Sequence, residues 1–221
     1  MNACKLIISC KNALKIKYGA DFPKLEKLLK KLAVADKKLH LDTKIVFIDD
    51  AVSARRAGIR TVKSCTRQQC KKAVDDLYKK WLPAYIVLFG AQDIFPFQEL
   101  NNPAGDEDEQ VPTDLPYACE SGYSKEIASF TGPTRVVGRI PDIPGKADLA
   151  YVTTLLTNIT RNKPGQPNPY LNYFALTADV WKKSTQLTVQ EIFGNTSSLQ
   201  YCPPAGKSYT KKQLNALTQF L

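Results

Sequence analysis

Two patterns of hydrophobic and polar positions alternate along this chain: short continuous apolar runs and stripes at helical spacing. Ala84-Tyr-Ile-Val-Leu-Phe-Gly90 is an unbroken apolar run closed by glycine, which reads as a strand buried on both faces of a parallel sheet. Lys5-Leu-Ile-Ile-Ser9 and Lys44-Ile-Val-Phe-Ile-Asp-Asp50 read the same way. Between these two runs, Leu25, Leu28, Leu29 and Leu32 follow a cap at Asp21 and a first-turn Pro23, which predicts a helix. A second stripe, Cys70, Ala73, Val74, Leu77 and Trp81, predicts a helix from about Thr66 to Lys80, stopped by Pro83. Ala13–Tyr18 continues or turns away from the first strand, and Ala51–Gly58 is a short helical or irregular link.

Beyond Gly90 the pattern is more broken. Asn101–Gln110 is a loop by composition. Leu115–Glu120 and Arg135–Ile140 are expected to pair as strands around a turn region. From Lys146, Leu149, Val152, Leu155, Leu156 and Ile159 form a helical stripe. Asn162–Pro169 is a connector, Tyr170–Ala178 a strand, Thr185–Phe193 a helix and Ser198–Tyr201 a short strand. Thr210 and Gln213 make a capping-box pair for a last helix bearing Leu214, Leu217 and Leu221. The leading β-α-β-α-β order predicts an α/β fold: a mainly parallel sheet flanked by helices on both faces, with right-handed crossovers.

With 221 residues, 43% hydrophobic and 24% charged, the chain can build one α/β domain or two tightly packed subdomains. Its charge of +10 is lopsided. Residues 1–83 carry 20 Lys/Arg against 8 Asp/Glu, while residues 84–221 carry 11 against 13. Most of the lysines fall on the outer faces of two helices, with no nucleic-acid-binding motif beside them, so nucleic acid is disfavoured as a partner. No apolar run is long enough to span a bilayer. Met1–Cys10 is too soon charged again at Lys11 for a signal peptide. The chain as written is expected in the cytoplasm, or secreted if Met1 is not its natural start.

The residues that could do chemistry are few. Cys4, Cys10, Cys65, Cys70, Cys119 and Cys202 contain no C-x2-C pair, and His40 is the one histidine; a structural zinc site has little support from such spacing. Buried, reduced thiols are expected. Neither a G-x-G-x-x-G nor a Walker lysine follows a strand, so a nucleotide phosphate has no cradle. The acidic run Asp106–Glu109 lacks EF-hand spacing and reads as a solvated loop. The second strand ends in Asp49-Asp50, where α/β folds usually present ligand-binding loops; the simpler role of Asp50 is to cap the next turn.

Taken in order, strand Tyr85–Gly90, Thr113-Asp-Leu-Pro-Tyr117, Val136-Val-Gly-Arg-Ile-Pro141 with its Lys146–Ile159 helix, and strand Tyr173–Ala178 resemble the gingipain-like cysteine peptidases of the caspase-like clan. The match covers residues 84–221; residues 1–83 fit the family's leading βαβα elements by pattern. The resemblance implies a caspase- or gingipain-like three-layer sandwich, left incomplete. It also implies peptide or protein substrates cut by a Cys-His dyad, in which a thiolate attacks the carbonyl and imidazole moves the protons. The family's His-Gly and Ala-Cys motifs have no matching position here. The chain is therefore expected to supply scaffold and pocket loops, and to be inactive alone.

By the same resemblance, pocket loops lie at Asp49-Asp50, Ala91–Phe95 and Asp179–Ser184, with Asp93, Asp114, Asp179 and Trp181 as pocket candidates. The alternative for Asp114 is that it ties its own loop to backbone N–H groups. No cofactor is expected; the family can carry calcium, but no ligand set is assignable. An unpaired sheet edge would favour self-association. Another reading of the whole chain is a non-catalytic module that binds an acidic partner through its basic first 83 residues.

Overall fold

The computed structural model of the chain describes residues 3–104, 107–161 and 173–202. Its contacts divide the chain into two units, Met1–Asn162 and Lys163–Leu221. The first unit runs β1 (Ala3–Ser9), α1 (Lys11–Tyr18), α2 (Phe22–Asp36), β2 (Leu41–Phe47), α3 (Ala51–Ala57), α4 (Arg67–Trp81), β3 (Tyr85–Phe89), β4 (Gln98–Asn101), β5 (Gln110–Thr113), β6 (Val137–Ile140) and α5 (Leu149–Arg161). The second contains β7 (Ala175–Ala178), α6 (Lys182–Phe193) and β8 (Leu199–Cys202).

Four parallel strands in the order β2-β1-β3-β6 form the central sheet. Successive side chains of β1 point to opposite faces, and both faces are covered. Leu6 and Ile8 pack with Cys70, Ala73, Val74 and Leu77 of α4. Ile7 packs on the other side with Leu14 of α1, Leu25, Leu29 and Leu32 of α2, and Val152 and Leu156 of α5. Each fully buried Leu or Ile contributes about 1.5–3 kcal/mol relative to leaving it in water. The two clusters explain why Leu6, Ile7 and Ile8 of β1 are apolar at consecutive positions and not at alternate ones. The result is an α/β sandwich with helices on both faces.

Several elements differ from the sequence expectation. Lys11–Tyr18 is a helix, not an extension of β1. Leu115–Ala118 is a 3-10 turn, because Pro116 and the short reach from Thr113 leave no room for a strand. The partner of β6 is β3, in parallel. The segment on either side of the acidic loop forms an antiparallel hairpin, β4 with β5, where loop composition hid two four-residue strands. Leu100 of that hairpin packs with Cys119 and Phe130 in a small satellite core.

In the second unit, β7 and β8 pair in parallel, and Thr177 and Thr185 hydroxyls lie 2.9 Å apart. Tyr173 stacks on Phe193 with ring centroids 4.4 Å apart. Of the expected strand Tyr170–Ala178, Ala175–Ala178 is strand and Tyr173 and Phe174 are not, while residues 170–172 lie outside the described residues. The expected last helix from Thr210 lies outside the described residues.

Candidate functional site

The strand order reverses between β1 and β3, and the loops leaving their carboxyl ends are where an open α/β sheet presents ligands. The edge is assembled by side chains reaching back to backbone. Ser9 donates its hydroxyl to the Phe89 carbonyl at 2.7 Å, which clips the ends of β1 and β3 together. Asp49, just past β2, accepts the N–H groups of Lys11 and Asn12 at 2.6 and 2.8 Å. Its carboxylate thereby satisfies two orphan donors at the start of α1, where the helix dipole also favours negative charge. Asp50 accepts the Ser53 N–H at 2.9 Å and the Lys11 ammonium at 2.9 Å. It is the N-cap of α3, and those bonds hold its carboxyl below the usual range.

On the β3–β6 side, a buried carboxylate organises the loops. Asp142 accepts the Ala91 N–H at 2.7 Å and the Tyr18 hydroxyl at 2.7 Å, and its carboxylate meets the Lys17 ammonium at 2.7 Å. Lys17 also donates to Asp93 and to the Ile143 carbonyl. Burial together with the Asp142 hydrogen bond pushes the Tyr18 phenol far above its ordinary value.

The pocket candidates fall into place as follows. Asp93 stands on the β3 loop, paired with Lys17 at 2.8 Å and accepting the Gly145 N–H at 3.0 Å. Asp114 faces Arg139 of β6 through two parallel hydrogen bonds of 2.8 and 2.6 Å. It ties its loop to a guanidinium, not to backbone N–H groups. Arg139 also donates to the Gly90 and Phe95 carbonyls and lies over the Phe97 ring. Asp179 and Trp181 share one exposed 3-10 turn of the second unit, directly after β7. Asp93 and Asp114 thus belong to the first unit, Asp179 and Trp181 to the second.

Sequence reading missed Arg139, Asp142 and Lys17. The signal for Arg139 was present in Val136–Pro141: an arginine inside a short strand must be paired if its neighbours are buried. Asp142 and Lys17 gave no such signal, being 125 residues apart in an ordinary polar context.

The thiols also differ from expectation. Cys10 and Cys65 are joined as a disulfide across 55 residues of chain, not held as two reduced thiols. Sequence reasoning saw no partner for either, because β1 and the loop before α4 meet only once the sheet is formed. Cys70 stays a free, buried thiol, pushed up to about 12 by burial and by the Asp49 charge. Cys4 is raised as well, chiefly by burial. Among the described residues, the one group of three or more metal-ligating side chains that converges is Cys10, Cys65 and Cys70. Sulfur donors do not suit calcium, and the carboxylates at the strand ends are held by Lys17, Lys11, Arg139 and backbone N–H groups.

A dyad needs imidazole, and the chain has one. His40 is exposed and left-handed (φ 57°) in the turn before β2. Its carbonyl receives the Ala3 N–H, so it stands at the amino end of the sheet, opposite the edge where the loops gather. The cysteine nearest in register, Cys4, sits across from Asp42, and no hydrogen bond joins His40 to a sulfur among the described residues. Among the described residues, the arrangement holds loops at strand ends.

No helix among the described residues is long and apolar enough to cross a membrane. No curated protein and no solved structure matches the chain. The sequence pattern of Peptidase family C25 matches residues 6–219, nearly the whole chain. With the parallel sheet between two helical layers and the paired Thr-Asp and Gly-Arg motifs, the chain belongs to Peptidase family C25, the gingipain family of cysteine peptidases.

Proposed function

We propose that residues 1–221 supply the scaffold and part of the substrate pocket of a gingipain-like cysteine endopeptidase, with the reacting histidine and cysteine encoded after Leu221. The observation that carries this reading is that a family C25 chain holds a single histidine, exposed at the end of the sheet remote from its loops. Cys-His catalysis needs imidazole within hydrogen-bond reach of the thiol. The 221-residue chain should leave casein and fluorogenic peptides uncut, while a chain extended through the next strands of its gene should cut them. Turnover by the 221 residues that His40→Ala abolishes would overturn the proposal. Asp93 and Asp114 of the first unit and, taken separately, Asp179 and Trp181 of the second remain the candidates of this reading. Substitution of the exposed Trp181 should change KM of the extended enzyme and leave folding intact.

A second reading has support from one groove. Beside β2, which pairs with β1 alone among the described residues, a groove of about 630 Å³ is lined by Lys11, Lys30, Lys44, Arg56 and Trp81 together with Glu26 and Asp50. A basic groove along a strand edge suits an acidic partner or a second copy of the chain. Binding to a polyglutamate peptide that weakens steeply with salt, and is lost in Arg56→Glu, supports this reading; salt-independent or absent binding removes it.

A further inference from the structure

Three sulfurs from two segments of the chain converge beneath the carboxyl edge of the sheet. Cys10 ends β1 and precedes α1, Cys65 lies in the loop before α4, and Cys70 sits on the first turn of α4. All three sulfur atoms lie within 4.8 Å of one another. Cys10 and Cys70 are fully buried and Cys65 is half-buried. The surrounding wall is apolar: Ile8, Ile48, Val62 and Val74 belong to the same cluster.

We propose that Cys10, Cys65 and Cys70 form a redox-gated zinc site, closed by the Cys10–Cys65 disulfide and opened when that bond is reduced. Zinc bound to thiolates sits about 2.3 Å from each sulfur, which sets tetrahedral sulfur pairs about 3.8 Å apart. The Cys70 sulfur is at most about 1 Å beyond that spacing from either partner, and the bonded pair must move apart to it once the disulfide opens. All-sulfur donors select a thiophilic ion over calcium or magnesium. The half-buried side of Cys65 leaves the fourth coordination position to water.

The chemistry balances through a dithiol reductant. Two electrons and two protons pass from the dithiol to the Cys10–Cys65 bond, giving two thiols and leaving the reductant as its own disulfide. Zinc then displaces the thiol protons to solvent and takes the sulfurs as thiolates. Either closure, S–S or S–Zn–S, ties the end of β1 to the segment that opens α4. The ion would therefore replace the covalent link when that link is lost.

The test uses the whole 221-residue chain, with zinc as the probe and cobalt as its spectroscopic stand-in. Reduced under argon, the chain should take up one equivalent of zinc. Cobalt should give the thiolate charge-transfer bands of a tetrahedral site, and the oxidised chain should bind neither ion. Cys70→Ser leaves the disulfide pair intact and Cys65→Ser alters the half-buried member. Each should weaken zinc binding in the reduced chain by at least about a hundredfold, as severe as the largest losses from altering groups around a metal site. Cys4→Ser and Cys202→Ser should bind as the parent does. If reduction unfolds the chain, zinc should restore its circular dichroism. Absence of stoichiometric uptake, failure of zinc to restore the fold, or unchanged affinity in Cys70→Ser would each overturn the proposal.

Discussion

Arg139 and Asp114 meet side by side, Nε to Oδ2 at 2.8 Å and Nη2 to Oδ1 at 2.6 Å, while the remaining nitrogen of Arg139 holds the carbonyls of Gly90 and Phe95. One guanidinium on β6 thus joins two loops, the one that follows β3 and the one that follows β5. Planar two-point pairing is a property of arginine that lysine does not reproduce. Arg139→Lys should cost about 2–4 kcal/mol of unfolding free energy in chemical denaturation, given the loss of a largely buried charged pair. Asp114→Asn should cost less, since its carboxylate is a quarter exposed and partly screened. A double variant whose cost equals the sum of the two would refute the pairing's importance.

Gly90 ends β3 at φ +108°, and a Cβ placed there would meet Cβ of Ile94 at 2.5 Å. Both the backbone angle and the space exclude a side chain. Gly90→Ala should lower stability by more than about 2 kcal/mol, from strain plus displacement of Ile94. Gly122→Ala, with open space around it, should change stability little. Equal effects of the two in thermal melts would contradict this account.

Lys71 is fully buried in α4, with its ammonium 2.6 and 2.8 Å from the Asp75 oxygens and 3.0 Å from the Cys119 carbonyl. Arg135 shares the same carboxylate at 2.5 Å; its guanidinium lies over the Tyr78 ring, and its buried Nε and Nη2 make no hydrogen bond. Two cations therefore face one anion, and burial drives the Lys71 ammonium below its ordinary pKa. Lys71→Met should be mild, because it leaves a one-to-one pair; Asp75→Asn should cost about 3–5 kcal/mol by leaving two buried cations unpaired. A harmful Lys71→Met beside a mild Asp75→Asn would reverse the argument.

The phenols of Tyr18 and Tyr117 are both pushed well above their ordinary value, first by burial. A raised folded-state pKa on an acid means the native chain keeps a proton that the unfolded chain gives up. Their contribution is intact below about pH 10 and is lost as pH rises beyond it. Unfolding free energy should fall above that pH, and Tyr18→Phe should flatten the decline. A decline equally steep in Tyr18→Phe would assign the alkaline limb to other groups.

Asp93 supplies the acid limb. Burial alone would raise its carboxyl, but the Lys17 ammonium and the Gly145 N–H hold it below the ordinary range. A depressed carboxyl contributes stability above the unfolded value near pH 4 and loses it as pH falls through the lower folded value. Asp93→Asn should therefore be less stable than the parent at pH 6 and converge on it at pH values below about 3. A gap that persists unchanged at low pH would point to packing and not charge.

Much of the fold was legible because it depends on local pattern. The β1, β2 and β3 runs are apolar at consecutive positions, which only a sheet covered on both faces requires, and the α2 and α4 stripes fix which sides of those helices turn inward. The motif order Thr113–Tyr117 and Val136–Pro141 carried the family. Short elements were not legible: β4 and β5 are four residues each, with alternation too brief to stand out from a loop. The lysines looked alike along α4, yet Lys71 is sealed in the core and Lys72 is exposed. That difference follows from the Cys119 carbonyl and Asp75 meeting at one place.

The sequence by itself determined an α/β layering and its family, because periodicity and motif order are properties of neighbouring residues. It also determined that one histidine must serve any imidazole chemistry within these residues. Only the tertiary structure decided that Arg139 clasps Asp114, that Asp142 gathers Tyr18, Lys17 and the Ala91 N–H, and that Cys10, Cys65 and Cys70 share one spot. Those meetings join residues 25, 124 and 55 positions apart. Such distances are closed by the crossing of strands and helices, and no local rule of spacing encodes where the chain will cross itself.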